Sequence, residues 1–326
     1  MIRICHLVDD TSPGGVTRML DFIKGSTQMG SLGQHQVVVT PAGFSRPPAQ
    51  AVDVFVSHIV LSWRNLPFFL ALRARYPRTL IIHIEHHYSQ SFVAAHVNHP
   101  KRFRSMLSLS MAVFDRVIAI SGAQRDWLKG FVQLAEDKLI LIPSCVALDD
   151  FLTIPVGTGD IKKIGAIGRL HPQKGFDVLI PAFRAAALLD VTLEIFGDGP
   201  DKEKLVALAD NDPTIIFHGH VPDPCSAMAS VDAVAMPSRR EPYGLVALEA
   251  MAAGRPLLVS RADGLIDHAA NGALAVTDFS VESWTHALRD FVATPHQDRV
   301  SAARERAARA EDRFAESWAA LLEKLT

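Results

Sequence analysis

The chain has 326 residues, 48% of them hydrophobic and 21% charged, with a formal net charge of −2 at pH 7. That length has room for two domains, and the near-neutral balance argues against a dedicated nucleic-acid binder, which carries a strong basic excess. The cysteines (Cys5, Cys145, Cys225) lie far apart without a C-x-x-C pair, which points to a reducing compartment and to neither a disulfide framework nor a zinc site.

Ile2–Val8 is too short an apolar run for a signal peptide and reads as a buried first strand. No stretch approaches eighteen apolar residues, so no membrane span is expected and the protein is placed in the cytoplasm. The loop Asp9–Arg18 follows, and its Gly14-Gly15 pair lets backbone amides approach a phosphate where the first helix opens. Further strands are predicted at Gln36–Thr40, Val54–Ile59, Leu80–Ile84, Val117–Ile120 and Leu139–Ile142, with helical spacing over Val16–Gly30 and Lys101–Val113. A second series covers Lys163–Ile167, Thr192–Phe196, Ile215–His218, Ala233–Met236, Leu257–Val259 and Leu274–Val276. Helical patterns over Phe176–Leu188 and Lys202–Asn211 interleave with it, and a last helix is predicted over about 310–325.

Unbroken Val/Ile/Leu strands alternating with helices imply parallel sheets covered on both faces. Two such series give an α/β fold of two doubly wound, Rossmann-like domains, over about 1–150 and 160–309. The break is expected near Asp149–Ile161, where Pro155, Gly157 and Gly159 interrupt the periodicity. Ligands of open parallel sheets bind outside the carboxyl ends of the strands, so the site is expected in a cleft across which the two domains face each other.

Three segments carry chemistry. In Met236–Gly254, Glu241 and Glu249 are eight positions apart, and Gly244 between them is placed to cap a helix that Gly254 and Pro256 stop. The amides of Leu245, Val246 and Ala247 then form an anion site, reinforced by the helix dipole. In Gly165–Gly175 a strand ends at Gly168, and Arg169 and Lys174 offer a guanidinium fork and a mobile ammonium to a pyrophosphate. His83-Ile84-Glu85-His86-His87-Tyr88 closes the fourth strand. It lacks the helical i, i+4 pair of H-E-x-x-H, so no metal is expected. His83 should alternate into the packed surface, with Glu85–His87 projecting into the cleft.

These segments resemble the motifs of retaining glycosyltransferases of the GT-B fold, above all family 4 (glycosyl transferases group 1). The Glu241–Glu249 pair matches E-x7-E, and Gly168-Arg169 through Lys174-Gly175 matches G-R-x4-K-G. Gly197-Asp198-Gly199-Pro200 and Ile216–Val221 are similar to later turns, and the likeness is most specific from Lys163 to Gly254. The resemblance implies that Arg169 and Lys174 hold a donor diphosphate, that Glu241 binds the transferred sugar and that Glu249 binds the ribose diol. It implies a donor-side contact at Gly14 and Gly15 and a base pocket near Val221. His86, with His87 as the alternative, is implied to hydrogen-bond the sugar's outer hydroxyls or to take the acceptor proton. The C-terminal helix, about 310–326, is implied to cross back to the first domain.

The implied reaction uses a nucleoside-diphosphate sugar, UDP first, and a hydroxyl acceptor on a saccharide or lipid-linked saccharide, with neither metal nor cofactor. Glycan, glycolipid or surface polysaccharide synthesis is the setting. Rival readings are a nucleotide-sugar-binding protein without transferase activity and a nucleotide-sugar epimerase. The chain departs from the family at Tyr243, where Phe is usual, and at Ser144-Cys145, where Asn-Gly is usual. Arg239-Arg240 is unusually basic and suggests an extra anion contact, and the basic Pro100–Arg104 segment suggests contact with an anionic membrane surface.

Overall fold

Each of the twelve predicted strands forms in the computed structural model, which describes residues 1–40, 46–157 and 159–323. Residue 158, inside the predicted break, and residues 324–326, at the end of the predicted last helix, lie outside the described residues. The chain divides into two compact units: Met1–Ala147 joined by the C-terminal segment from Glu311, and Leu148–Ala310.

In the first unit the strands are β1 (Ile2–Val8), β2 (Gly33–Val39), β3 (Val54–Ser57), β4 (Leu80–Glu85), β5 (Arg116–Ala119) and β6 (Leu139–Leu141). They pair in parallel in the order β2-β1-β3-β4-β5-β6. β2 starts three residues before the predicted Gln36, because Gly33, Gln34 and His35 are drawn into register with Ile2, Arg3 and Ile4. The helix predicted over Val16–Gly30 breaks at Ser26, which is extended and accepts the Met29 amide on its hydroxyl. Two helices result, Gly15–Gly25 and Thr27–Leu32. The Gly-Ser-Thr run was the signal, since serine is a better cap than a mid-helix residue. Phe55, Phe69, Leu107 and Phe114 fill the core on one side of this sheet. The C-terminal helix Ala310–Glu323 packs on this unit through a Phe22–Phe314 edge contact at 5.6 Å, a Gln28 to Asp312 hydrogen bond and the buried Trp318.

The second unit holds β7 (Lys163–Ile167), β8 (Thr192–Phe196), β9 (Ile215–Gly219), β10 (Ala233–Met236), β11 (Leu257–Ser260) and β12 (Leu274–Val276). Their order, β12-β11-β10-β7-β8-β9, is the Rossmann order read from its far edge. The chain starts in the middle of the sheet at β7, winds one way to β9, and returns beside β7 with β10. Ligands of such sheets bind where the order reverses, outside the carboxyl ends of β7 and β10. Both motif loops leave the sheet there.

Candidate active site

Because β7 and β10 are neighbours, the loops that follow them meet although they are distant in sequence. After β7 the chain makes one tight turn, Pro172–Lys174, capped by the His171 ring accepting the Gln173 amide at 3.2 Å. That turn aims Lys174 at the β10 loop, where its Nζ lies 2.5 Å from Glu241 Oε2, 67 positions away in sequence. Both side chains are largely buried, with 19% and 13% of their surface exposed. Ser238 donates to the same carboxylate oxygen at 3.3 Å. Behind it, Asp263 accepts the Glu241 amide at 3.2 Å, and the Gly264 amide returns to the Glu241 carbonyl at 2.9 Å. The structure thus joins the two segments that the sequence had treated as separate motifs.

Asp263 and Asp177 were missed from sequence. Asp263 sits in a left-handed turn after β11 with φ of 43°, and the Ala262-Asp263-Gly264 run at a strand end was its only signal. Asp177 gives Arg239 a partner within the chain, where the sequence suggested an anion on donor or acceptor for Arg239 or Arg240. The Arg239 fork binds the Asp177 carboxylate at 2.6 and 3.0 Å, and Nη1 also donates to the Pro172 carbonyl at 2.8 Å. Arg239 therefore staples the β10 loop to the start of the helix Phe176–Ala186. Burial raises the Asp177 carboxyl, but the Arg239 hydrogen bonds and charge outweigh it, and the carboxyl ends below its usual range.

Gly244 caps the helix Leu245–Ala252 in the left-handed region, with φ of 96°. The Ala247 amide turns back on the Gly244 carbonyl at 3.0 Å, so the predicted anion site narrows to the amides of Leu245 and Val246. Glu249 is buried, as is every residue of this helix from Ala247 to Ala252, while Leu245 and Val246 at its start are half-exposed. Arg169 is exposed beside Gly168 and makes no ion pair among the described residues. Val221 follows β9 and is half-buried. On β9 itself, His218 stacks on Phe196 at 4.4 Å and meets Glu194 at 2.5 Å.

In the first unit Gly14 and Gly15 are exposed at the start of the helix after β1, and the Arg18 amide makes the first helical bond, to the Gly14 carbonyl. The turn after β4 differs from expectation at Glu85. It does not project outward: it is buried and accepts the His87 and Tyr88 amides at 2.8 and 3.0 Å. Those strand-end amides have no ladder partner, and a buried carboxylate satisfies them. Burial pushes the Glu85 carboxyl up, yet the neighbouring His83, then His87 and the Tyr88 amide, bring it below its usual value. His86 is half-buried and bonds His58, whereas His87 is exposed. Among the described residues no His, Cys, Asp and Glu side chains gather as three potential metal ligands.

His6 and His58 are buried as neutral rings. Burial, with the charges of His35 and Lys24, lowers His6 to about 3, and burial with His86, His6 and His83 holds His58 well below its usual value. In the unfolded chain both rings take a proton near pH 6.5. Their stability contribution is therefore complete above that pH and is lost as pH falls, by roughly 1.4 kcal/mol per pH unit for each ring. Urea midpoints are expected to drop clearly between pH 7.5 and 5.5; equal midpoints would contradict neutral burial.

Residues 161–294 match the family described as glycosyl transferases group 1. A GDP-mannose-dependent alpha-(1-6)-phosphatidylinositol dimannoside mannosyltransferase of Mycobacterium tuberculosis is 36% identical over 145 residues, covering 43% of this chain and 38% of that protein. A D-inositol 3-phosphate glycosyltransferase of Actinosynnema mirum is 29% identical over 215 residues, covering 57% of this chain and 51% of its own. Matched stretches thus span less than two thirds of these relatives. Among solved structures, sucrose-phosphate synthase from Thermosynechococcus elongatus has a TM-score of 0.77 at 18% identity, covering 100% of this chain and 99% of its own. The Anabaena protein HepE, solved with UDP and glucose, has a TM-score of 0.74 at 17% identity, covering 98% and 99%. Two doubly wound parallel sheets of this kind define a GT-B protein. The match to the group 1 glycosyl transferases lies within the second unit.

Proposed function

We propose that the chain moves a glycosyl group from a nucleoside-diphosphate sugar to a hydroxyl, with retention at the anomeric carbon and without a metal ion. The observation that carries this reading is the Lys174–Glu241 contact at the switch point of the second sheet, beside the open amides of Leu245 and Val246. Bond cleavage between the anomeric carbon and the diphosphate leaves an electron pair on phosphate oxygen. Lys174, Arg169 and the two amides neutralise that charge where it grows. Glu241 accepts from hydroxyls of the transferred sugar, held in place by Lys174 and Ser238. Glu249 accepts the ribose diol, Val221 lines the base, and the Gly14-Gly15 amides add a donor-side contact. His86 accepts a hydrogen bond from a sugar or acceptor hydroxyl. The mannosyltransferase, which acts on a phosphatidylinositol dimannoside, and the inositol phosphate glycosyltransferase support a sugar transfer to a hydroxyl, with a lipid-linked saccharide as acceptor in the first of them.

UDP is the nucleoside diphosphate we propose first for the donor, with GDP as the competing arm. A thermal-shift screen against UDP-, GDP-, ADP- and TDP-sugars is expected to give one stabilising class, because a ligand that binds only the folded state raises the midpoint by mass action. Proton NMR of the product with that donor then reads the anomeric configuration. No shift with any donor would remove the reading, and an inverted product would remove retention.

Helix Pro100–Ala112 exposes Lys101, Arg102 and Arg104 in its first turns, and Leu109 is 52% exposed. No helix among the described residues is long and apolar enough to cross a membrane. We propose a peripheral contact of this helix with anionic lipid, driven by charge and weakened by salt. Vesicles containing phosphatidylglycerol should pull the protein down at low salt and release it at high salt; no sedimentation in either condition removes the contact.

A further inference from the structure

A row of four imidazoles crosses the first unit, one for each of four adjacent strands. His35 lies on β2, His6 on β1, His58 directly after β3 and His86 directly after β4. Ring centroids are 5.2 Å apart at each of the three steps, close to the spacing of about 4.8 Å between neighbouring strands. Every step is a contact between ring nitrogens at 2.9 Å: His35 Nδ1 with His6 Nε2, His6 Nδ1 with His58 Nε2, and His58 Nδ1 with His86 Nε2. At the far end His35 Nε2 meets the Met29 carbonyl at 3.1 Å, an oxygen that also accepts the Gly33 amide.

A carbonyl oxygen only accepts, so His35 carries its proton on Nε2. In a neutral ring the other nitrogen is then an acceptor, and His6 must donate from its own Nε2. The same step repeats to His58 and to His86. One backbone carbonyl therefore sets four tautomers, and the acceptor end of the row is the Nδ1 lone pair of His86. We propose that His35, His6 and His58 are positioning residues that hold His86 as the Nε2–H tautomer, so that Nδ1 is presented to a substrate hydroxyl at the carboxyl edge of the first sheet. This deepens the transferase reading and rests on it for the identity of the hydroxyl.

The row fixes a tautomer and does not store charge. His6 is wholly buried and stays neutral down to about pH 3, with His35, His58 and Lys24 around it. His58 faces His6, His83 and His86, none of which is an anion. A proton resting on either ring would be an uncompensated charge in the core. His83 stacks on Phe114 at 5.0 Å and pairs with Glu85, so it stands outside the row.

Long-range proton–nitrogen correlation spectra of the full nitrogen-15-labelled chain report each ring's tautomer directly. At pH 7.5 His35, His6, His58 and His86 are all expected as Nε2–H. His35→Leu removes the anchor, and His86 is then expected to populate both tautomers. The transfer rate kcat falls on the order of tenfold, as for other partners that orient a histidine, with donor KM little changed. His35→Gln, whose amide can donate to Met29 and accept from His6, is expected to restore both readings. An Nδ1–H tautomer for His86 in the unaltered chain would overturn the proposal, and that spectrum decides even where His35→Leu does not fold. So would an unchanged His86 in His35→Leu, or a His35→Gln as impaired as His35→Leu. Absence of transfer with every donor, alongside the expected tautomers, sinks the transferase reading and leaves the tautomer lock supported.

Discussion

Lys174→Ala is expected to lower sugar transfer by about 10²–10³-fold, the range found when one preorganised stabiliser of developing charge is removed. Two losses combine in this variant. In the proposed transfer the departing diphosphate loses one of its two side-chain cations, and Glu241 loses the partner that holds its carboxylate 2.5 Å away. Lys174 lies in a loop turn, outside the hydrophobic core, so the fold should survive. A stability cost of about 1–3 kcal/mol arises from leaving Glu241 partly buried without its cation. Glu241→Gln combined with Lys174→Ala should cost less than the two single changes together, because residues in contact share one interaction. Single-turnover kinetics on the four proteins checks this. A Lys174→Ala enzyme with an unaltered rate would take the ammonium out of the leaving-group role.

The alternation of short Val/Ile/Leu runs with helical spacing made both sheets legible, because a strand buried on two faces has few other sequence solutions. Pairing order was not legible from periodicity, yet it decides the site: only the adjacency of β7 and β10 brings Lys174 to Glu241. The motif residues themselves could be named from sequence since Gly, Arg, Lys and Glu in those spacings do specific work at a strand end. Their neighbours could not. Arg239 reads as surplus charge in a chain, and only the fold shows Asp177 waiting 62 positions away. Glu85 looks like an outward group in H-x-E-H-H, but two unpaired amides at the end of β4 turn it inward. The histidine row is invisible for the same reason: His6, His35, His58 and His86 share no spacing, and only the pairing of four strands, with each ring two residues out of register from the next, brings them side by side.

Gly175→Ala is expected to destabilise the second unit by roughly 2–5 kcal/mol, the sum of a left-handed backbone for a residue with a side chain and a clash that cannot relax. At Gly175 φ is 70°, and an added Cβ would lie 2.0 Å from the Pro237 carbonyl oxygen. That oxygen is backbone, so no rotamer change relieves the contact. Nor can the two loops simply part, because the Arg239 amide donates to the Gln173 carbonyl at 2.8 Å and the Arg239 fork holds Asp177. For a unit of this size each kcal/mol corresponds to about 2–4 °C, so the thermal midpoint should fall by roughly 5–15 °C. Transfer should fall further than stability accounts for, since the same loops carry Lys174 and Glu241. The identical substitution at Gly130 separates the causes. Gly130 lies exposed inside the helix Gly122–Val132 with nothing within 4 Å of an added Cβ. There alanine should stabilise by about 0.5–1 kcal/mol through helix propensity and leave transfer unaltered. Differential scanning calorimetry on both variants reads the opposite signs, and a Gly175→Ala midpoint equal to the parent's would mean that the loops yield without cost.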